Sequence, residues 1–193
     1  MKEEISNNKI INPMDLEPIT YATFIQRIHA FLIDSLIFFP LSYFSEYNLF
    51  EAKNFNIVVL VALVWFIYKP LMEWKYGATL GKMAAKIKVV NYSYELPSFN
   101  QAMMRFLPYF AIGLSGLILN FNMFCLPDFQ NAKSLNDIGK LQDQLSSEGV
   151  LICYMFYCYS VTKIFFNEHK QAFHDRFSQT YCVVVYKKNK SND

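Results

Sequence analysis

Ile57 to Tyr68 reads IVVLVALVWFIY and presents no polar face at helical period. A helix in a soluble bundle needs such a face, so this run calls for lipid. Crossing a bilayer takes about 20 mainly apolar residues at about 1.5 Å of rise each. Four stretches meet that need: Phe24 to Phe44, Phe55 to Met72, Ala102 to Leu126 and Val150 to Phe166. The second reaches full length once Lys69 extends its ammonium to the interface. With 53% of 193 residues hydrophobic and 18% aromatic, these blocks predict an all-α membrane protein, a bundle of about four transmembrane helices.

The basic residues set its orientation. Placing both termini and the connector after the second span on one side leaves only Lys53, Lys133 and Lys140, of 18 basic residues, opposite. Such a bias marks the richer side as cytoplasmic, so both termini are expected inside. One domain over residues 21–186 is expected, between a polar tail at 1–20 and a basic tail at 187–193. The first 20 residues carry no early apolar run, so no cleaved signal peptide is expected and the first span stays as an anchor. A net charge of +2 gives no field for nucleic acid, and none is expected as a partner. The bilayer is the expected surrounding, in a multi-pass protein of the cell (inner) membrane.

The connectors carry structure of their own. Ser134-Leu-Asn-Asp137 resembles a capping box, and Leu135, Ile138, Leu141 and Leu145 recur at helical spacing until Gly149. They predict an amphipathic outer helix, lying at the interface or over the mouth of the bundle. On the inner side, Ile87 to Val90 and Tyr181 to Tyr186 read as short β-type runs able to pair with each other. In the third span, Ala111, Gly113, Ser115 and Gly116 form a small-residue surface suited to close helix packing. Cys125, Cys153 and Cys158 fall in or beside apolar blocks and read as packing residues.

Asp34 is the most informative residue. It stands about ten residues into the first span, roughly 15 Å deep, where a carboxylate costs about 2.5–3.5 kcal/mol on insertion scales. It is therefore protonated or has a partner: another helix (through Asn120 or a Tyr), a bound cation or an internal water. Arg27 lies about 10 Å away along the same helix, too far for direct contact, and is expected to pair with Asp175 at the cytoplasmic interface. Glu73 ends the second span and is followed by Tyr76-Gly-Ala-Thr-Leu-Gly-Lys82. The Gly-Lys ending lacks the first Gly and the trailing Ser or Thr of a phosphate-binding loop, so a tight interfacial turn with Lys82 reaching to the interface is expected. His174-Asp175 has no nucleophile signature to serve. No enzyme activity, cofactor or metal site is expected.

Taken together, Arg27-Ile-His-Ala30-Phe-Leu-Ile-Asp34, Gly77-Ala-Thr79-Leu-Gly81-Lys82 with Ile87-Lys-Val-Val90, Arg105, and Gln171-Ala-Phe-His174-Asp175-Arg-Phe-Ser-Gln-Thr180 resemble the RDD family of bacterial membrane proteins. The chain departs from that pattern at Met83-Ala-Ala85 and in a long outer insertion from Asp128 to Glu148. The resemblance implies a membrane bundle that transports a ligand, with cation/proton antiport attributed to some members. On that reading Asp34 exchanges a monovalent cation for a proton. Arg27, Glu73, His174 and Asp175 serve the inner end, and Gly77, Thr79, Gly81, Lys82, Arg105 and Thr180 are interface or structural residues. A homodimer would complete the pathway, four helices being few for alternating access. The alternative is a non-transporting scaffold or assembly factor, whose charges lock the helices together.

Overall fold

A computed structural model describes residues 19–185; the polar tail before them, the basic tail after them and Tyr186 lie outside the described residues. Among the described residues, four helices are long and apolar enough to cross a membrane: α1 (Phe24–Phe50), α2 (Phe55–Tyr76), α4 (Phe99–Phe124) and the stretch Glu148–Phe166. The last of these comprises α6 (Glu148–Thr162) and a 3-10 turn, Lys163–Phe166. Helices α1 and α2 run past the expected ends at Phe44 and Met72, and Pro40 and Pro70 lie inside them, as the expected spans also had it. Lipid-facing helices tolerate such prolines where neighbours resatisfy the freed carbonyl.

Local chemistry sets the boundaries. Thr23 caps α1 and Ser98 caps α4, each through a capping box with a glutamine three residues on. At the far end of α2, Gly77 adopts φ +70°, the left-handed conformation that a glycine enters without strain. The chain then turns back rather than running along the interface. Thr79 caps a short helix, α3 (Leu80–Ala84), which packs alongside α1.

The expected inner pairing is present. β1 (Ile87–Asn91) and β2 (Thr180–Val184) are antiparallel, with Ile87 opposite Val184 and Asn91 opposite Thr180. Tyr21 bridges to Val183 on the other edge of β2, so both described ends of the chain lie at one end of the bundle, beside α7 (Phe173–Phe177).

At the opposite end, the outer insertion forms a 3-10 turn, Pro127–Asn131, and the helix α5 (Leu135–Asp143) with the expected capping box at Ser134 and Asp137. It lies over the mouth: Phe129, Ala132, Ile138 and Leu141 pack onto Leu49 of α1, Val58 of α2 and Met123 of α4. Lys53 holds this cap, donating to the carbonyls of Phe129, Gln130 and Ala132 at 3.0, 2.6 and 2.7 Å.

Two packing expectations are corrected. Gly113 admits the Phe66 ring, which would come within 2.5 Å of an added Cβ, but nothing lies within 4 Å of one at Gly116. Of the two glycines on that surface, Gly113 is the one packed closely, against α2. Cys125 and Cys158 are exposed rather than packed, Cys158 at the rim of a cavity between the helices, and Cys182 of β2 is buried.

Candidate functional site

The charged residues of the inner end form one connected network. Arg105 enters from α4, 3% exposed. Its Nε donates to Glu73 of α2 at 2.9 Å, and its Nη1 donates to Asp175 of α7 at 2.5 Å and to the Thr180 hydroxyl at 2.6 Å. Glu73 also receives Lys82 of α3 at 2.5 Å. The expected Arg27–Asp175 pair is formed, at 2.5 Å, and Arg27 donates a second bond to the Lys170 carbonyl at 2.7 Å. Three spans, α3, α7 and β2 are thereby tied through five ionic side chains. Charge-assisted contacts of this kind are the strong ones, and removing one member of a buried pair is costly.

Lys82 does not reach to the interface as expected. The turn-back at Gly77 carries it inward to Glu73, and burial lowers its ammonium from the ordinary value while Glu73 opposes the shift. Burial alone would raise the Asp175 carboxyl, but Arg105 and Arg27 hold it well below the usual carboxylate range.

Asp34 has a different set of partners. Its Oδ1 accepts from the Tyr68 hydroxyl at 3.0 Å and from the Gly81 amide at 2.8 Å, and its Oδ2 accepts from the Thr79 hydroxyl at 2.6 Å. Of the candidates expected for it, a tyrosine is the one found; Asn120 instead bonds the Gly116 carbonyl of its own helix. Gly81 is what permits this approach, since an added Cβ would lie 2.0 Å from the Ala30 carbonyl oxygen of α1. Asp34 therefore anchors the turn-back against α1.

His174 has partners on both ring nitrogens. The Ser160 hydroxyl lies 3.2 Å from Nδ1, and Asp175 lies 3.3 Å from Nε2. A serine, a histidine and an aspartate in line invite comparison with a hydrolase triad. Here Ser160 is fully buried, and Asp175 is spent on two guanidinium groups. The arrangement instead satisfies a neutral imidazole, Nε2 donating and Nδ1 accepting. Burial pushes the ring down to about 3, outweighing the opposing charge of Asp175. Sequence reasoning missed Ser160, because nothing in the uniformly apolar α6 marks which side faces inward.

A cavity of about 570 Å³ opens beside the network, between α1, α2, α4 and α6. Arg27, Asp34, Lys69, Glu73, Lys82 and Arg105 line its polar part. Lys69, expected to extend to the interface, turns inward: its Nζ sits 3.0 Å from the centroid of the Tyr109 ring. Among the described residues Lys69 makes no ion pair.

Four apolar spanning helices and a buried ionic network at one end define a multi-pass membrane protein. The family model for the RDD family matches residues 21–179, and the chain belongs to that family. No curated protein and no solved structure matches it.

Proposed function

We propose that the chain is a small secondary transporter of the cell (inner) membrane and that the cavity between α1, α2, α4 and α6 is its solute site. The observation that carries this reading is a chamber of about 570 Å³ lined by six acidic or basic side chains, Arg27, Asp34, Lys69, Glu73, Lys82 and Arg105, from three spans and α3. Ionisable groups at membrane depth are costly and line ligand paths by preference. A homodimer would supply the opposing half of the pathway, and the outward Leu36, Phe39 and Tyr43 of α1 offer the surface for it.

Exchange of a monovalent cation for a proton requires a carboxylate that can trade partners. Asp34, with three donors on its two oxygens, is committed to the α3 turn. Glu73 is the other carboxylate lining the chamber, and would release Lys82 in each cycle. The charge balance leans the other way: Arg27, Lys69, Lys82 and Arg105 outnumber Asp34, Glu73 and Asp175, which favours an anionic solute. The scaffold alternative draws on a separate observation, that every carboxylate of the network already has its donors.

Purified protein in vesicles carrying a pH-sensitive dye tests these readings. Proton movement driven by sodium, potassium or lithium, and lost in Glu73→Gln, supports cation exchange. Movement driven only by an anion gradient supports an anionic solute. Silence under both retires the transport reading and leaves the scaffold.

A further inference from the structure

We propose that the chamber binds an anionic amphiphile, its oxyanion head on Lys69 and Arg27 and its apolar tail passing out between α1 and α6. This inference rests on the chamber being a ligand site, though not on turnover across the membrane.

Two donors left over by the network belong to residues that line the same space. Lys69 faces the ring of Tyr109 and no carboxylate, although Glu73 one helical turn away is close enough to act on it electrostatically. Arg27 spends its terminal nitrogens on Asp175 and Lys170, but its Nε is buried with no hydrogen-bond partner. Both residues line the cavity. A buried donor left unsatisfied is costly, and a cation–π contact offsets only part of the desolvation of an ammonium. An oxyanion in the chamber gives the Lys69 ammonium a counter-charge beside the Arg27 guanidinium and offsets the surplus positive charge of the lining.

The remaining wall explains the tail. Phe24, Ile28, Phe31, Val161 and Phe165 line the same cavity, and Phe31 and Phe165 are 58% and 65% exposed on its outer side. Helix α1 packs on α2 and α3, while α6 packs on α4 and α7; the chamber lies between the two sets. A free inorganic anion would have no use for this apolar lip. A chain entering from the bilayer would, because burying its methylenes there keeps them out of water. Depth fits as well: Lys69 lies seven residues before the end of α2, roughly 10 Å below that end. A cavity of this size lies within the range that holds a head group and the start of a chain.

The test measures retention of phosphatidylglycerol by the full chain, purified in a zwitterionic detergent, using native mass spectrometry and melting temperature. Oleate and inorganic phosphate form the second and third arms. Lys69→Met keeps the stem and removes the charge, and Lys75→Met, on the exposed end of α2, controls for general electrostatics. The expected result is at least a ten-fold loss of phosphatidylglycerol or oleate retention in Lys69→Met and none in Lys75→Met. Lys69→Arg should restore retention. Without ligand, Lys69→Met should melt no lower than the parent, since it removes an unpaired charge. Equal loss in both Met variants, or saturable stabilisation by inorganic phosphate alone, overturns the proposal. Binding without flux would retire transport and leave this site standing. Flux that is indifferent to Lys69→Met, with no lipid retained, would do the reverse.

Discussion

Arg105 of α4 and Asp175 of α7, 70 residues apart in sequence, meet at 2.5 Å in an interior that leaves neither exposed. The same guanidinium holds Glu73 of α2, so one side chain joins two elements that would otherwise bury opposed carboxylates. Replacing Arg105 with Gln leaves each buried acid with one cation in place of two, Lys82 for Glu73 and Arg27 for Asp175. We expect a loss of about 3–5 kcal/mol, the range for removing one partner of a buried ion pair. Glu73→Gln should cost less in that background than in the parent, because the Arg105–Glu73 contact is already gone while the Lys82–Glu73 pair is lost in both. A thermal double-mutant cycle measures both effects. Additive losses would mean that the two residues are not coupled.

Gly81 makes a sharper steric prediction. An alanine there would place its Cβ 2.0 Å from the Ala30 carbonyl oxygen and 2.9 Å from the Asp34 amide nitrogen. Both are backbone atoms, so no rotamer change relieves the contact. Helix α3 must move off α1 and give up the Gly81–Asp34 hydrogen bond. Gly81→Ala should lose at least about 1–3 kcal/mol, as overpacking does. Gly116→Ala, with open space around it, should change stability by less than about 0.5 kcal/mol. Melting temperatures of the two variants, side by side, decide the point.

The spans were legible because an apolar run such as Ile57 to Tyr68 admits one environment. The strand pairing and the outer cap were legible from local pattern: β-type runs in one case, a capping box and spaced leucines in the other. The Arg27–Asp175 pair followed from two charges that each needed a partner near lipid. What stayed hidden depends on helix rotation and chain reversal. The inward turn of Lys69 and Lys82 could not be read, because a lysine stem reaches either an interface or a cavity. Asp34 was placed by counting residues along α1, which could not show that α3 folds back to meet it. Ser160 sits in a helix apolar on all sides, where periodicity assigns no face.

The neutral state of His174 gives a pH dependence with a definite sign. Its pKa lies at about 3 in the fold, against 6.5 for an unburied imidazole. Between those values the unfolded chain binds a proton that the folded chain does not, so stability falls as pH drops below about 6.5. One such group contributes up to about 1.4 kcal/mol per pH unit. Asp175, held below the usual carboxylate range, acts only at more acidic pH. Melting temperature measured from pH 7.5 to 4.5 should therefore slope less in His174→Gln than in the parent. Parallel slopes would show that His174 is not the group responsible.

Asp34→Asn separates the two meanings a carboxylate in a span can have. The native oxygens accept three hydrogen bonds, from Tyr68, Thr79 and Gly81. An amide keeps one oxygen and turns the other position into a donor. If the NH2 replaces Oδ1, it faces the Gly81 N–H, and that donor loses its acceptor. If it replaces Oδ2, the Thr79 hydroxyl must give up donating, while it still accepts from the Lys82 amide. Either way one buried donor is left unsatisfied, at about 1–3 kcal/mol. We therefore expect Asp34→Asn to melt below the parent and to loosen α3, seen as faster amide exchange over residues 80–84. A pure exchange site behaves oppositely: removing its charge relieves desolvation, so stability holds or rises while ion-driven proton flux vanishes. Thermal unfolding and vesicle flux on the same preparation distinguish the cases. Lower stability with flux retained assigns Asp34 to holding the turn; unchanged stability with flux abolished would return it to the transport path.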